Sequence, residues 1–171
     1  FFYFAMTTPA VSICVLAYNR PEGLRRTLAY WQAQTFTDWE LLIGDDASPD
    51  SAVERIGRAA AASDPRIHYF RQAKNQGIVA NHRFFLAKAR GTYLVWACDD
   101  DHWHPGYLAA AVGVLEEHPE VVMVCGQAQI LLSDGRSLPQ PSYLDTRGLP
   151  PSLRFLQVAR QVLWWNHEWY G

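Results

Sequence analysis

Hydrophobic and polar positions divide the first two thirds of the chain into four short apolar runs, each followed by a stretch with helical spacing. The runs are rich in β-branched and aromatic residues and have the length of buried strands. The predicted strands cover 11–18, 39–46, 66–71 and 92–98, and the predicted helices cover 21–34, 52–62, 78–90 and 105–118. A strand–helix unit repeated four times predicts an α/β fold, with an open, mostly parallel sheet and helices on both faces.

Beyond residue 118 the pattern predicts a few further elements and then loosens. The run VVMVC at 121–125 predicts another strand, and 129–132 predicts a strand that leads into a hairpin turn at 133–136. A proline-rich stretch follows, and 152–165 predicts a helix.

Composition and net charge exclude several classes of function. The 171 residues suffice for one domain with a core, and the net charge of −2 provides no basic field for a nucleic-acid backbone. No apolar stretch is long enough to span a bilayer. Cys14, Cys98 and Cys125 each stand in an apolar run, so we expect buried free thiols and a cytoplasmic location. The apolar start, FFYFAM, is either a remnant ahead of a natural start at Met6 or an edge strand.

Polar residues follow three of the predicted strands: 18–20 (Tyr-Asn-Arg), 45–46 (Asp-Asp) and 99–101 (Asp-Asp-Asp). The carboxyl ends of parallel strands share one edge, so up to five carboxylates gather there. Their repulsion costs several kcal/mol unless a cation or hydrogen-bond donors compensate it. Helix capping or solvation is the alternative, but capping needs only one acid. A divalent ion is the simplest compensation, and it predicts a metal-bridged phosphate ligand.

Four segments resemble, in order and spacing, the nucleotide-binding core of glycosyltransferase family 2, whose members have the GT-A fold. They read VSICVLAYNRPEGLRRTL, WELLIGDDASPDS, KNQGIVANHRFFLAKARG and TYLVWACDDDHWHPGYL. The resemblance implies a nucleotide-sugar-binding core at 11–126, preceded by an extension or edge strand at 1–10. It also implies that an acceptor-side region starts at 127–171. Because family domains usually run further, the resemblance leads us to expect a truncated form, a fragment or a minimal member.

The resemblance also assigns roles to individual residues. Asp100 would be the metal ligand for Mn²⁺ or Mg²⁺, Asp101 a co-ligand, and Asp99 a contact to the ribose. Cys98 stands where the family often has the first aspartate of its DxD-type motif, and His82 and Arg83 stand where it often has Arg-Asn. The resemblance implies that either acid of the 45–46 pair binds the base and that Arg83 reaches a phosphate. The full set implied to bind the nucleotide is Ala17, Tyr18, Asn19, Asp45, Asp46, Asn75, Gly77, Asn81, Arg83 and Asp99.

The reaction implied by the resemblance is an inverting transfer of a sugar from a nucleotide diphosphate, most simply a UDP-sugar, to a hydroxyl of a glycan or lipid-linked acceptor. The expected setting is cell-surface glycan synthesis, with contact to a membrane surface left open. The general base would be a late carboxylate, Asp145 or Glu168, with His167 as an alternative. Two other functions stay open: a sugar-nucleotide nucleotidyltransferase, and a non-catalytic nucleotide-sugar-binding module.

Overall fold

The structure is a computed structural model that describes residues 8–99, 101–126, 128–132, 135–140, 148–150 and 153. Asp100, Asp145, His167 and Glu168, and the predicted helix at 152–165 apart from Leu153, lie outside these residues. The chain divides into two compact units, Phe1–Val124 and Cys125–Gly171.

The first unit confirms the predicted alternation of strands and helices. Its four strands pair in parallel in the order β3-β2-β1-β4. The elements are β1 Val11–Ala17, α1 Pro21–Gln32, β2 Trp39–Asp45, α2 Ser51–Ser63, β3 Ile67–Arg71, α3 Ile78–Lys88, β4 Tyr93–Cys98 and α4 Tyr107–Glu117.

Helices cover both faces of this sheet, as the sequence predicts. Alternate residues of a strand point to opposite faces. On one face, Ile13 and Val15 of β1 belong to a buried cluster that also takes in residues of α1, α2 and α4. On the other face, Cys14 belongs to a second cluster with Leu42 and with Phe85 of α3. The sheet is therefore buried on both sides over β1 and β2, which explains their unbroken apolar runs.

Helix α1 forms where the sequence places a proline at its first turn. Pro21 occupies the first helical position, where its missing N–H costs nothing. Leu24, Leu28 and Trp31 then recur at helical spacing and are all buried against the sheet. This helix starts directly after the end of β1, so its first turn lies at the carboxyl edge of the sheet.

Two predictions about this unit are wrong. Residues 121–126 form no strand, and Val122 is 93% exposed, because β-branched residues favour a strand only where a neighbouring strand pairs with them.

Cys14 is buried, and burial, helped by the charge of Glu40, raises the pKa of its thiol to about 12. Cys98 and Cys125 are exposed instead. Cys98 ends β4, which pairs only with β1 among the described strands.

The second unit contains the predicted hairpin. Strand β5 (Ala128–Leu131) pairs antiparallel with β6 (Ser137–Gln140). Gly135, at φ 84°, takes up the left-handed conformation that a tight turn requires, and its N–H donates to the carbonyl of Leu132. Within the described residues of both units, no helix has the length and apolarity needed to cross a bilayer.

An ion pair between the buried Glu40 and the exposed Arg90 lies at the amino-terminal edge of the sheet, away from the acidic strand ends. Glu40 of β2 is 2% exposed and accepts hydrogen bonds from the Ser12 hydroxyl at 2.7 Å and from the Arg90 guanidinium at 2.6 and 2.9 Å. The backbone N–H of Arg90 donates to it as well, at 2.8 Å. This network ties the loop after α3 to the sheet.

The Glu40 network makes the fold sensitive to acid. Burial alone would raise the pKa of Glu40, but the hydrogen bonds from Ser12 and Arg90 outweigh it and hold the pKa below the ordinary 4.5. The stability that the carboxylate contributes is therefore complete above pH 4.5 and is lost as the pH falls through the lowered pKa. We expect Glu40→Gln to unfold at lower urea concentration than the wild type at pH 7, with the gap narrowing below pH 4. A gap that is constant with pH would contradict this.

Candidate functional site

The ends of β1, β2, β3 and β4 lie side by side at one edge of the sheet. The register pairs Ala17 with Asp45, Asp45 with Arg71, and Leu16 with Cys98. The three acidic or polar strand ends therefore open onto the same edge, as the sequence predicts.

Asp45 is fully buried at this edge and is neutralised by protein groups. Its carboxylate accepts hydrogen bonds from the Tyr69 hydroxyl at 2.6 Å, from the Arg71 guanidinium at 2.6 Å and from the Ser48 N–H at 2.8 Å. Burial alone would raise the pKa of Asp45, but these hydrogen bonds outweigh it and hold the pKa below 3.8. Burial and the neighbouring Asp45 raise the pKa of Tyr69, so the phenol stays protonated as a donor.

Asp46 holds the turn that precedes α3. Its two carboxylate oxygens accept the backbone N–H groups of Gln76 at 2.9 Å and Gly77 at 2.8 Å, and Asn75 also accepts from the Gly77 N–H at 3.1 Å. Gly77 has φ 80°, the left-handed conformation that favours glycine. The predicted Asn-x-Gly turn is thus fixed to the end of β2. Neither Asp45 nor Asp46 needs a cation to compensate its charge, which corrects that part of the sequence-based expectation.

Asp99 and Asp101 flank the position of Asp100 after β4. Asp99 is 7% exposed, and its Oδ1 lies 3.4 Å from Nη1 of Arg20 at the start of α1. Asp101 is exposed. Arg20 and Asp99 line an open pocket of about 300 Å³ together with Pro21, Glu22, Gly23 and Arg26. The pocket lining includes two guanidinium groups and two carboxylates, and guanidinium groups bind carboxylates and phosphates by paired hydrogen bonds.

Helix α1 and the residues just after it contact both ends of the acidic loop, residues 99–106. The Thr27 hydroxyl donates to the Cys98 carbonyl at 3.3 Å, and the Gln34 amide donates to the His104 carbonyl at 2.8 Å. Trp103 packs on Trp31, with ring centroids 4.6 Å apart, and so joins the loop to the core. These contacts tie both ends of the loop to α1 and to the residues that follow it.

The loops after β1 and β2 carry two non-glycine residues with left-handed backbone. Asn19 has φ 54° and Ala47 has φ 58°. This conformation costs an alanine on the order of 1 kcal/mol, and such strain is concentrated at functional sites. The Asn19 N–H donates to the Ser48 hydroxyl at 2.9 Å, which joins the two loops. Tyr18, just before Asn19, is 48% exposed and presents an aromatic side chain at this edge.

The other residues predicted to bind the nucleotide lie in different environments. Ala17 is 2% exposed at the end of β1. Asn81 is 3% exposed, and its Nδ2 donates to the Gly44 carbonyl at 3.3 Å, so it joins α3 to β2. Arg83 lies on an exposed part of α3.

The family description "Glycosyl transferase family 2" matches residues 12–163, which is most of the chain. The chain belongs to glycosyl transferase family 2. Its fold is likewise that of the family: the parallel sheet and the helices on both faces are the GT-A fold expected from the sequence.

Relatives of this family 2 chain agree with the assignment. A protein of Escherichia coli K12 named as a colanic acid biosynthesis glycosyl transferase, WcaA, is 28% identical over 156 residues, which are 91% of this chain and 54% of WcaA. Among solved structures, Staphylococcus aureus TarS 1–349 in complex with UDP-GlcNAc superposes with a TM-score of 0.60, at 20% identity, over 76% of this chain and 37% of TarS.

A third comparison is the mannosyltransferase PcManGT from Pyrobaculum calidifontis in complex with GDP-Man and Mn²⁺. It has a TM-score of 0.58 at 23% identity, over 64% of this chain and 33% of that protein. The family 2 chain thus spans between a third and a little over half the length of the proteins that it resembles here.

The acidic loop carries carboxylates, which are the ligand type of hard divalent ions. Within the described part of the chain, no three His, Cys, Asp or Glu side chains converge closely enough to hold an ion. Magnesium-type sites, however, use one or two carboxylates and complete their shell with substrate phosphates and water. Asp99 and Asp101, the described acids of the loop, carry oxygen ligands of this kind.

Sequence reasoning missed Tyr69 and Arg71, the partners of Asp45. Arg71 ends β3 at the same edge, and in a parallel pair it falls beside the acid that ends β2. A basic residue at the end of one strand and an acid at the end of another were the available signal. The neighbour relation between β2 and β3, however, is not in the sequence.

Proposed function

We propose that this chain binds a nucleotide-diphosphate sugar at the carboxyl edge of the sheet and transfers the sugar to an acceptor hydroxyl. The observation that carries the proposal is the convergence of the ends of β1, β2 and β4 on one edge of a GT-A sheet. At this edge, an exposed tyrosine follows β1 and an acidic loop follows the neighbouring β4. The bound sugar nucleotides of TarS and PcManGT support this class of donor.

In this proposal, the chain's own residues bind and orient the donor. The Tyr18 ring stacks on the base, and Asp46 holds the 75–77 turn as a wall of the base pocket. Asp99 accepts hydrogen bonds from the ribose hydroxyls. Arg20, 3.4 Å from Asp99, and the neighbouring Arg26 lie within reach of a diphosphate in the pocket.

The acidic loop is the proposed place of a divalent ion. Asp100 and Asp101 would hold Mn²⁺ or Mg²⁺ together with the donor phosphates. When bound, the ion offsets the negative charge that develops on the leaving diphosphate. A late carboxylate, Asp145 or Glu168, would take the proton of the acceptor hydroxyl from the opposite face of the sugar, which inverts the anomeric carbon. Cell-surface glycan synthesis is the proposed setting.

Replacing Tyr18 tests the nucleotide site. Because stacking of a base on an aromatic ring is worth about 1–3 kcal/mol, we expect Tyr18→Ala to raise the Kd for UDP by about tenfold. Tyr18→Phe keeps the ring and should stay close to the wild type. Isothermal titration with UDP and GDP in the presence of Mn²⁺ measures this. Mass spectrometry of UDP-GlcNAc, UDP-glucose and GDP-mannose then follows donor consumption.

Three outcomes separate the candidate functions. Donor consumption that requires the acidic loop supports the transferase. Tight nucleotide binding without consumption favours a binding module. Binding that is unchanged in Tyr18→Ala excludes this edge as the base site.

A further inference from the structure

We propose that Gly23 is a positioning residue for the acidic loop, and that its missing side chain fixes where the loop starts. Gly23 is buried in the first turn of α1. A Cβ atom built at this position would overlap the carbonyl oxygen of Asp99 and would lie 3.3 Å from its carbonyl carbon. The overlap with the oxygen leaves no room for a methyl group unless the backbone shifts. The inference rests on the proposed function, because it assigns Gly23 a role toward the proposed metal–diphosphate site.

The contact at Gly23 is with backbone, so a side chain there cannot be accommodated by a change of rotamer. Either the first turn of α1 or the end of β4 would have to move. The end of β4 is already tied to α1 by the hydrogen bond from Thr27 to the Cys98 carbonyl. Downstream, Trp103 packs on Trp31 near the end of the same helix, and Gln34, just after the helix, donates to the His104 carbonyl. A displacement at Gly23 therefore falls on Asp99, where the loop starts.

The distance between Arg20 and Asp99, which line the pocket, also depends on the close approach of Gly23 to the Asp99 carbonyl. Gly23 lines the pocket together with Arg20 and Asp99, and the built Cβ would also contact the Cβ of Arg20 at 3.6 Å. Substitution of residues that contact and orient metal ligands typically lowers metal affinity about 10- to 100-fold. We place Gly23 in that class of residue.

The test measures binding of Mn²⁺ to the full 171-residue chain in the presence of UDP, by the electron paramagnetic resonance signal of free manganese. Gly23→Ala is expected to raise the Kd for manganese by about tenfold or more. Two control variants should stay within about twofold of the wild type. Gly113→Ala makes the same change inside α4, where a Cβ meets nothing within 4 Å. Glu40→Gln weakens the fold at the opposite edge of the sheet without touching the loop.

Each outcome decides a different point. If the wild type binds manganese with UDP and Gly23→Ala binds it equally well, the role of Gly23 is refuted and the proposed function stands. If the wild type binds no manganese with UDP, the proposed function fails, and this inference fails with it. Circular dichroism establishes folding. If Gly23→Ala does not fold, Thr27→Val is measured instead. Loss of the hydrogen bond from Thr27 to the Cys98 carbonyl should raise the Kd for manganese about two- to tenfold. An unchanged Kd for manganese refutes the inference.

Discussion

Asp100→Ala is expected to lower donor consumption by at least about 100-fold and to remove the manganese dependence of UDP binding. In the proposed complex, the negatively charged diphosphate lies at the acidic loop, and Asp100 is the ligand that holds the ion there. Without Asp100 the ion is lost, and the phosphates are repelled by Asp99 and Asp101. The measurement is the initial rate of donor loss by mass spectrometry, together with UDP titrations with and without Mn²⁺.

Asp38→Ala is the matched control for this variant. It removes one exposed carboxylate just before β2, at the other end of the sheet, and so makes the same change in net charge. It should leave donor consumption and manganese dependence as in the wild type. If Asp100→Ala keeps full activity, or if Asp38→Ala loses as much, the assigned metal ligand is wrong.

Asp45→Ala is expected to reduce the free energy of unfolding by about 2–4 kcal/mol at pH 7, because it leaves the Ser48 N–H and the Tyr69 hydroxyl without their acceptor. Arg71, at 32% side-chain exposure, can turn to water, so its loss of a partner adds little. Chemical unfolding followed by fluorescence measures the difference. Asp45→Asn, which keeps the shape and one acceptor, should lose less.

The pH dependence of the Asp45 variants tests the charge on this residue. The folded-state pKa of Asp45 lies below the ordinary 3.8. Its contribution is therefore complete above pH 3.8 and is lost as the pH falls through the lowered value. The gap between wild type and Asp45→Asn should be constant from pH 5 to 7 and shrink below pH 3.8. A gap that grows toward acid would show that Asp45 is protonated in the folded state.

The elements of the fold could be predicted because each depends on residues close in sequence. Pro21 and the spacing of Leu24, Leu28 and Trp31 predict α1, and Gly135 marks the hairpin turn. The convergence of the acidic strand ends also followed, because it needs only that the strands be parallel.

The rest depended on neighbours that are distant in sequence. The pairing of Asp45 with Arg71 requires the adjacency of β2 and β3, and the role of Gly23 requires the approach of α1 to the end of β4. The exposure of Cys98 follows from the edge position of its strand. The compensation of Asp46 by backbone N–H groups was equally invisible, because any residue type could supply them.

The most direct test of the proposed site is calorimetric titration of UDP into the wild-type chain, first with Mn²⁺ and then after chelation. The proposed bridging ion predicts binding that is at least about tenfold tighter with manganese. Equal affinity under both conditions, or no binding in either, would contradict it.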